Sequence, residues 1–384
     1  MPVLRPYQQD AVRAALNAKR GTIKAATGTG KTIIAIEWLK TIGKNSLIVV
    51  PTQALIYQSW APKLQDAGLL DIGQYYAYSK STGPVMITTY SSAISHPELF
   101  EKADAVILDE IHHLGAAAAA LTRLLPIIRK KEYVLGLSSV PEREDDAHEL
   151  FLEEFPICFD LSLGEALRDG IVSPLQVIKV PAEMKAPERE KYEEYTEKIQ
   201  NAFRFCGPDI SRWMRCFDPK TKQFYGRQGM LAMSRRKKLL SQIASKKDAV
   251  KRIVSEHEGE MVILFAESVN AIEEIKEELA AEGIQSETFH SGTEPWRRQE
   301  ILGEWGRKFD VLLSCRALEE GVDVKEVSVG ILITSGKSKR QFVQRIGRVV
   351  RPKEGKLAKF YVVYCPQTVE ESYAKTIESI LSKD

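Results

Sequence analysis

Lys31 and Thr32 close a glycine-rich stretch, AATGTGKT (Ala25–Thr32), which follows a short strand-like segment, GTIKA, and precedes a helical one, IIAIEWLK. Strand, glycine loop and helix in that order are what a phosphate cradle requires. Gly28 and Gly30 let the backbone N–H groups of the loop, Thr27 and Thr29 among them, turn inward. Lys31 then offers a point charge to β- and γ-phosphates, and Thr32 a hydroxyl for Mg²⁺. Ala25 stands where the strict pattern has glycine. Downstream, VILDEIHH (Val106–His113) ends an apolar run with two carboxylates. Asp109 can hold the Mg²⁺ that Thr32 ligates, and Glu110 can deprotonate an attacking water. His112 and His113 have no third ligand at metal-binding spacing, so their expected role is hydrogen bonding between this site and neighbouring loops. Near the C-terminus, QFVQRIGRVVR (Gln341–Arg351) places Arg348 and Arg351 three residues apart on one helical face.

These residues need a frame, and the strand pattern supplies it. SLIVV, PVMITTY, AVILDE and EYVLGLS in the first half, and MVILFAES, FDVLLSC, SVGILIT and KFYVVY in the second, are apolar runs separated by helix-like segments. This alternation predicts an α/β fold with parallel sheets covered on both faces, in two domains. An acidic pair ending a strand of such a sheet lies where ligands bind. Residues 183–240 form a different element, charged and helical at first, then interleaving aromatic and basic residues (Phe203 to Gln228) before the cluster SRRKK. That composition suits either contact with an unpaired nucleic-acid strand or a small packed subdomain with a basic rim. The tract GAAAAAL (Gly115–Leu121) reads as a helix start.

Composition excludes several classes. Hydrophobic content of 44% and charged content of 28% suit a globular chain with real cores, and no apolar run approaches membrane-span length. The five cysteines include no CxxC pair, so no zinc is expected, and their odd number predicts reduced thiols in an intracellular compartment. A net charge of +2 means that nucleic-acid binding must rest on local patches.

AATGTGKT, DEIHH, GLSSVP and QFVQRIGRVVR, in that order, resemble the motifs of superfamily 2 helicases of the DExH type. The resemblance covers nearly the whole chain, from Leu4 to about Arg351. It implies two RecA-like domains, residues 1–172 and 173–384, the second containing the 183–240 insert, with ATP in the cleft between them and nucleic acid across their top. LRPYQ (Leu4–Gln8) resembles the family's adenine-reading segment, with Gln8 facing the adenine and Arg5 nearby. Gln344, Arg348 and Arg351 are implied to act across the cleft, the arginines as fingers on the γ-phosphate, with Gly321 and Asp323 close to ATP. His112, Ser138 and Ser139 are implied to link the ATP site to the nucleic-acid track. Thr52, Gln53, Thr88 and Thr89 match backbone-contact positions of the first domain, and Ser291, Gly292 and Arg297 those of the second. Cys315 replaces a family serine or threonine, and Ser314 is expected to compensate.

GLSSVPEREDD (Gly136–Asp146) carries a second resemblance. Arg143-Glu144-Asp145 is similar to the R-E-D element of XPB-type helicases, with Arg143 near the strand junction, and LRPYQ and GIVSPLQVIKV are XPB-like too. Val140 departs from the family's threonine, whose hydroxyl bonds the acidic motif, so Val140→Thr is expected to raise unwinding per ATP. The chain is expected to lack the N-terminal damage-recognition module of that group. The reading is an ATP- and Mg²⁺-dependent DNA helicase or duplex translocase, 3′ to 5′, serving repair, recombination or related processing. A DExH RNA helicase, or a nucleic-acid clamp with weakly coupled ATPase, are the alternatives. DNA is preferred to RNA as partner, a recruiting or nuclease protein is expected, and the chain is expected to be a monomer without membrane contact. It would be cytoplasmic in a prokaryotic or viral setting and nuclear only in a eukaryote.

Overall fold

The computed structural model describes residues 3–115, 118–143, 145–215, 224–315, 327–333, 339–352 and 355–382. Strands β1 (Arg20–Ala25), β2 (Ser46–Val50), β3 (Ile72–Tyr76), β4 (Ser79–Lys80), β5 (Val85–Thr89), β6 (Ala105–Asp109), β7 (Tyr133–Ser138) and β8 (Ile157–Leu161) form one sheet. Its order is β4-β3-β5-β2-β6-β7-β1-β8. Every pairing in it is parallel except the β3–β4 hairpin. Strands β9 (Leu175–Pro181), β10 (Val262–Ala266), β11 (Ser286–His290), β12 (Val311–Cys315), β13 (Val329–Leu332) and β14 (Ala358–Tyr364) form a second sheet. It is wholly parallel among the described residues, in the order β11-β12-β10-β13-β14-β9.

The unbroken apolar strands are the ones buried along their whole length, β2, β5, β6, β10 and β12 among them. Helices on both faces leave no side of these strands for alternating polar residues. The strands without such runs, IGQYY, SK, ICFDL, LQVIKVP and SETFH, lie at or beside sheet edges, where one flank meets water.

Strand order decides what meets at the sheet's C-terminal edge. β7 lies between β6 and β1, pairing Leu137 with Asp109 on one side and Ser138 with Lys24 on the other. The loop after β1, the acidic motif after β6 and the serines after β7 are thereby adjacent. From there the chain crosses to the second sheet through Ser173, whose N–H donates to the Val350 carbonyl and whose hydroxyl donates to the Arg351 carbonyl, both at 2.9 Å. An apolar core runs through the crossing, from Ile23 and Ile34 by Leu163 and Ile171 to Phe342 and Ile346.

The element between β9 and β10 is a helical hairpin, Ala186–Cys206 and Tyr225–Ser241, with a 3₁₀ segment, Ile210–Arg215, tucked between. It has its own small core of Ile199, Ala202, Trp213 and Ala232. Phe205, Met214, Phe224 and Leu231 stay exposed on it. It is therefore packed on a core of its own, as one of the two expected readings has it, with these apolar side chains left outside that core. Its base is fastened by a buried ion pair, Lys246 Nζ to Glu370 Oε1 at 2.7 Å, and by Tyr192, whose hydroxyl accepts the Val369 N–H. Cys158, Cys315 and Cys365 are free thiols, and burial pushes that of Cys365 up to about 12. The expectation of reduced thiols throughout is corrected at Cys206, which is disulfide-bonded. No described helix is long and apolar enough to cross a membrane.

Candidate active site and nucleic-acid groove

Gly28 and Gly30 take φ values of +91° and +85°, the left-handed region open to glycine, and Gly30 caps the helix Lys31–Ile42. The loop is braced from within: Thr29 Oγ1 donates to the Ala26 carbonyl at 2.7 Å. Lys31 Nζ donates to the Ala25 carbonyl at 2.9 Å. Desolvation lowers the Lys31 pKa, Glu110 and Asp109 pull it back up, and Arg348 pushes it down again. A lysine feeling both carboxylates and an arginine of the second sheet's domain sits at the focus of one electrostatic site. Phosphate oxygens placed there would favour its charged form.

The N-terminal segment supports this loop directly. Gln8, buried, accepts the Arg5 N–H at 2.9 Å and donates its amide to the Thr29 carbonyl at 3.2 Å. Tyr7 donates its hydroxyl to the same carbonyl at 2.7 Å. A β-carbon on Gly30 would lie 2.6 Å from Gln8 Nε2, so the loop and the glutamine are in close contact. Arg5 donates to the Ile171 carbonyl at 3.0 Å, joining this segment to the crossing between domains.

Asp109 ends β6 with its carboxylate buried and held on both oxygens. Oδ2 accepts the Trp60 indole N–H at 2.8 Å, and Oδ1 accepts the Glu110 N–H at 3.1 Å. Desolvation still raises its pKa, against the lowering by Trp60 and Lys31. Glu110 has φ +48°, a strained conformation for a side chain of its size that aims it off the strand. Its Oε2 stands 3.5 Å from Ser138 Oγ and 3.5 Å from His112 Nδ1, and Ser138 Oγ is 3.3 Å from that same nitrogen. Ser138, His112 and Glu110 thus form one cluster, and the Val140 N–H donates to Ser138 Oγ at 3.2 Å. The hydroxyl expected to be missing at Val140 is supplied by Ser138. Ser139 Oγ is buried without a hydrogen bond.

Across the cleft, the helix Lys339–Val349 buries Gln344, Arg345 and Arg348. Its Gly347 touches the phosphate loop so closely that a β-carbon there would fall 2.2 Å from Thr27 Cβ. One at Gly28 would come within 4.0 Å of Arg351 Cα. Thr27 Oγ1 and Gln344 Nε2, on opposite walls, are buried without hydrogen bonds. Two such orphans facing one cleft fit a polar ligand. Mg²⁺ keeps waters and phosphate oxygens and takes one or two protein ligands. The Thr32 hydroxyl and the Asp109 carboxylate therefore fit it, although no three metal-binding side chains cluster among the described residues. Gly321 and Asp323 lie outside the described residues.

The residues matched to nucleic-acid contacts by resemblance separate into groups. Thr52 caps the short helix Gln53–Leu55 after β2, and both Thr52 and Gln53 line a groove whose other wall is Phe289, Arg298 and Leu302 of the second domain. Thr89 caps the helix Tyr90–Ser95, with its hydroxyl accepting the Ser92 N–H at 3.2 Å. Thr88 is buried within β5 and donates to the Tyr75 carbonyl at 2.8 Å, while Ser314 is buried near the end of β12. Both point into protein. Ser291 and Gly292 follow β11 at the surface, and Arg297 is surrounded by Glu287, Glu300 and Glu304. Arg143 is placed inward: Asp145 grips its guanidinium at 2.8 and 2.7 Å, and its NH1 donates to the His112 carbonyl at 3.1 Å. That grip pulls the Asp145 pKa down to about 2. Arg143 therefore braces the acidic motif. Sequence reasoning missed Trp60 and Arg298, whose places depend on packing between segments far apart in the chain.

Two parallel-sheet domains with a phosphate loop on one wall of the cleft and arginines on the other define a nucleotide-driven motor. The family described as type III restriction enzyme, res subunit, matches residues 1–143, and the helicase conserved C-terminal domain matches residues 245–353. The chain is 28% identical over 91% of its length to a DNA 3′-5′ translocase XPB2 of Sulfurisphaera tokodaii, covering 79% of that protein. It is 24% identical over 99% of its length to a DNA 3′-5′ helicase XPB of Kineococcus radiotolerans, of which it spans 63%. The helicase domain of Pyrococcus furiosus Hef has the same fold, with a TM-score of 0.61 at 18% identity over 97% of this chain and 98% of that one. The chain thus matches two helicase domain models, one in each half, and the relatives named here by sequence are XPB enzymes.

Proposed function

We propose that this chain is an ATP-driven DNA helicase or duplex translocase moving 3′ to 5′, acting in repair, recombination or related DNA processing. The observation that carries the reading is Lys31, which feels Asp109, Glu110 and Arg348 together, one from each part of a hydrolytic site. The XPB names of its relatives support DNA as the track and 3′ to 5′ as the direction.

In this reading the N–H groups of residues 27–31 and Lys31 cradle the β- and γ-phosphates. Thr32 and Asp109 would hold Mg²⁺, which when bound would offset phosphate charge. Glu110 takes a proton from a water aligned on the γ-phosphorus, and Ser138 and His112 orient its carboxylate. Arg348 and Arg351 stabilise the charge that develops on the transferring phosphoryl group. Because those arginines belong to the second domain, hydrolysis depends on domain closure and phosphate release removes its cause. Gln8 and Tyr7 bind the Thr29 carbonyl, so a base contacted by this segment is sensed by the phosphate loop itself.

The test is ATPase activity measured with single-stranded DNA, duplex DNA and RNA, for the native chain and Glu110→Gln. DNA should stimulate the native chain, and Glu110→Gln should lose about a hundredfold or more of that rate while still binding ATP. Stimulation by RNA alone would replace DNA by RNA as the track, and an undiminished Glu110→Gln would remove the assigned base.

A further inference from the structure

The groove beside Thr52 has walls unlike those of a simple phosphate track. It encloses about 390 Å³ between the domains, with Tyr57, Gln58 and Tyr78 on one side and Phe289 and Arg298 on the other. Tyr78, in the β3–β4 turn, is 87% exposed, and Tyr57 is 40% exposed. Two exposed tyrosine rings bordering one groove offer flat faces on which a ligand can stack. Tyr76 meets the Tyr78 ring edge-on, with centroids 6.5 Å apart, which steadies it in place. Deeper in, Gln58 Oε1 and Thr52 Oγ1 are buried without hydrogen bonds. The occupant must therefore bring a flat apolar face for the rings and polar hydrogens along its edge.

We propose that this groove receives one unstacked nucleobase of the tracked strand. The inference rests on the reading of the chain as a nucleic-acid motor and names what that motor grips. A base carries both required features, and stacking on aromatic rings tolerates any of the four. The site adjoins Thr52 and Gln53, so a strand whose phosphates lie along those residues has its bases within reach. Arg298, its guanidinium 6.0 Å from the Phe289 ring centroid, brings positive charge to the opposite wall. The two walls belong to different domains, so a base held here is gripped or released as the cleft closes or opens.

Fluorescence anisotropy with labelled octathymidylate and an eight-unit abasic phosphodiester strand of equal charge tests the inference. The native chain should bind the thymidylate about tenfold more tightly, the order expected for one base stacked on aromatic rings. In Tyr57→Ala/Tyr78→Ala that preference should vanish while affinity for the abasic strand is kept, and Tyr78→Phe should retain the preference. Equal affinity of the native chain for both strands would overturn the base site and leave the motor reading standing, as would a preference that survives the double substitution. Binding of neither strand would likewise overturn the base site, while the motor reading stands or falls on the ATPase comparison with duplex DNA and RNA. A groove built for a protein side chain predicts no discrimination between the strands, which is the overturning result.

Discussion

Trp60 donates its indole N–H to Asp109 Oδ2 at 2.8 Å, and this single bond joins the helix bordering the nucleic-acid groove to the carboxylate assigned to Mg²⁺. Trp60 ends a π-helical turn, Ile56–Trp60, whose other side presents Tyr57 and Gln58 to the groove. Such turns recur at functional sites because the wider spiral re-aims its side chains. A change in the groove and a change at the Asp109 carboxylate are thus registered on one turn of helix.

Trp60→Phe tests that connection. It keeps most of the buried ring and removes a hydrogen bond to a charged group worth about 1.5–3 kcal/mol. The expected outcome is DNA-stimulated ATPase lower by roughly tenfold or more, a higher Mg²⁺ requirement and unchanged DNA affinity. A Mg²⁺ titration at wild-type rate and midpoint would reduce Trp60 to a packing residue.

Ser138 is the side chain that joins the acidic motif to the segment after β7, because its hydroxyl meets Glu110, His112 and the Val140 N–H. Ser138→Ala should leave ATP binding intact and lower the amount of DNA unwound or traversed per ATP by several-fold. Val140→Thr should change that ratio little, since its hydroxyl would duplicate a contact already made. If Val140→Thr raises coupling and Ser138→Ala does not lower it, the relay runs through another residue.

The raised pKa of Asp109 has a sign that can be checked. A carboxyl whose folded pKa exceeds its unfolded value of 3.8 contributes stability below that pH and loses it as pH rises through the folded value. Asp109→Asn cannot ionise, so it lacks this loss. Melting temperatures measured from pH 4 upward should show the variant gaining on the native chain as pH increases. Adding Mg²⁺ and an ATP analogue should narrow the difference, since charge at Asp109 is then compensated. Parallel pH profiles for the two chains would exclude a costly Asp109 carboxylate.

What the sequence made legible follows from burial. Strands covered on both faces are apolar throughout, so β2, β6, β10 and β12 stand out, and their ends locate Asp109, Glu110 and Ser314. β3 and β11 carry too many polar residues to stand out, since they lie at or near edges. The local loop chemistry of Gly28, Gly30 and Lys31 is contained within a few consecutive residues. The inward turn of Arg143 onto Asp145 and the His112 carbonyl is tertiary, and a short R-E-D string carries no sign of it. Thr88 and Ser314 show the same limit, because both lie on strands buried along their whole length, where neither face opens to a ligand.

Gly347 offers the most direct test of closure between the domains. A β-carbon there would lie 2.2 Å from Thr27 Cβ, a distance that no packing adjustment of a methyl group absorbs. Thr27 belongs to the phosphate loop, and Gly347 precedes Arg348, so separating this pair withdraws the arginine from the site. Each domain has its own sheet, so the clash can be relieved by opening the cleft without unfolding either half. Gly347→Ala should therefore retain the native circular dichroism and a melting temperature within a few degrees, given overpacking costs of about 1–3 kcal/mol. Its ATPase should fall by about a hundredfold or more, the scale of removing an arginine from a phosphoryl-transfer site. Small-angle X-ray scattering with an ATP analogue should show a larger radius of gyration than for the native chain under the same conditions. Native activity and compaction in Gly347→Ala would mean that Thr27 and Gly347 need not touch during turnover, and that Arg348 acts from a more open cleft.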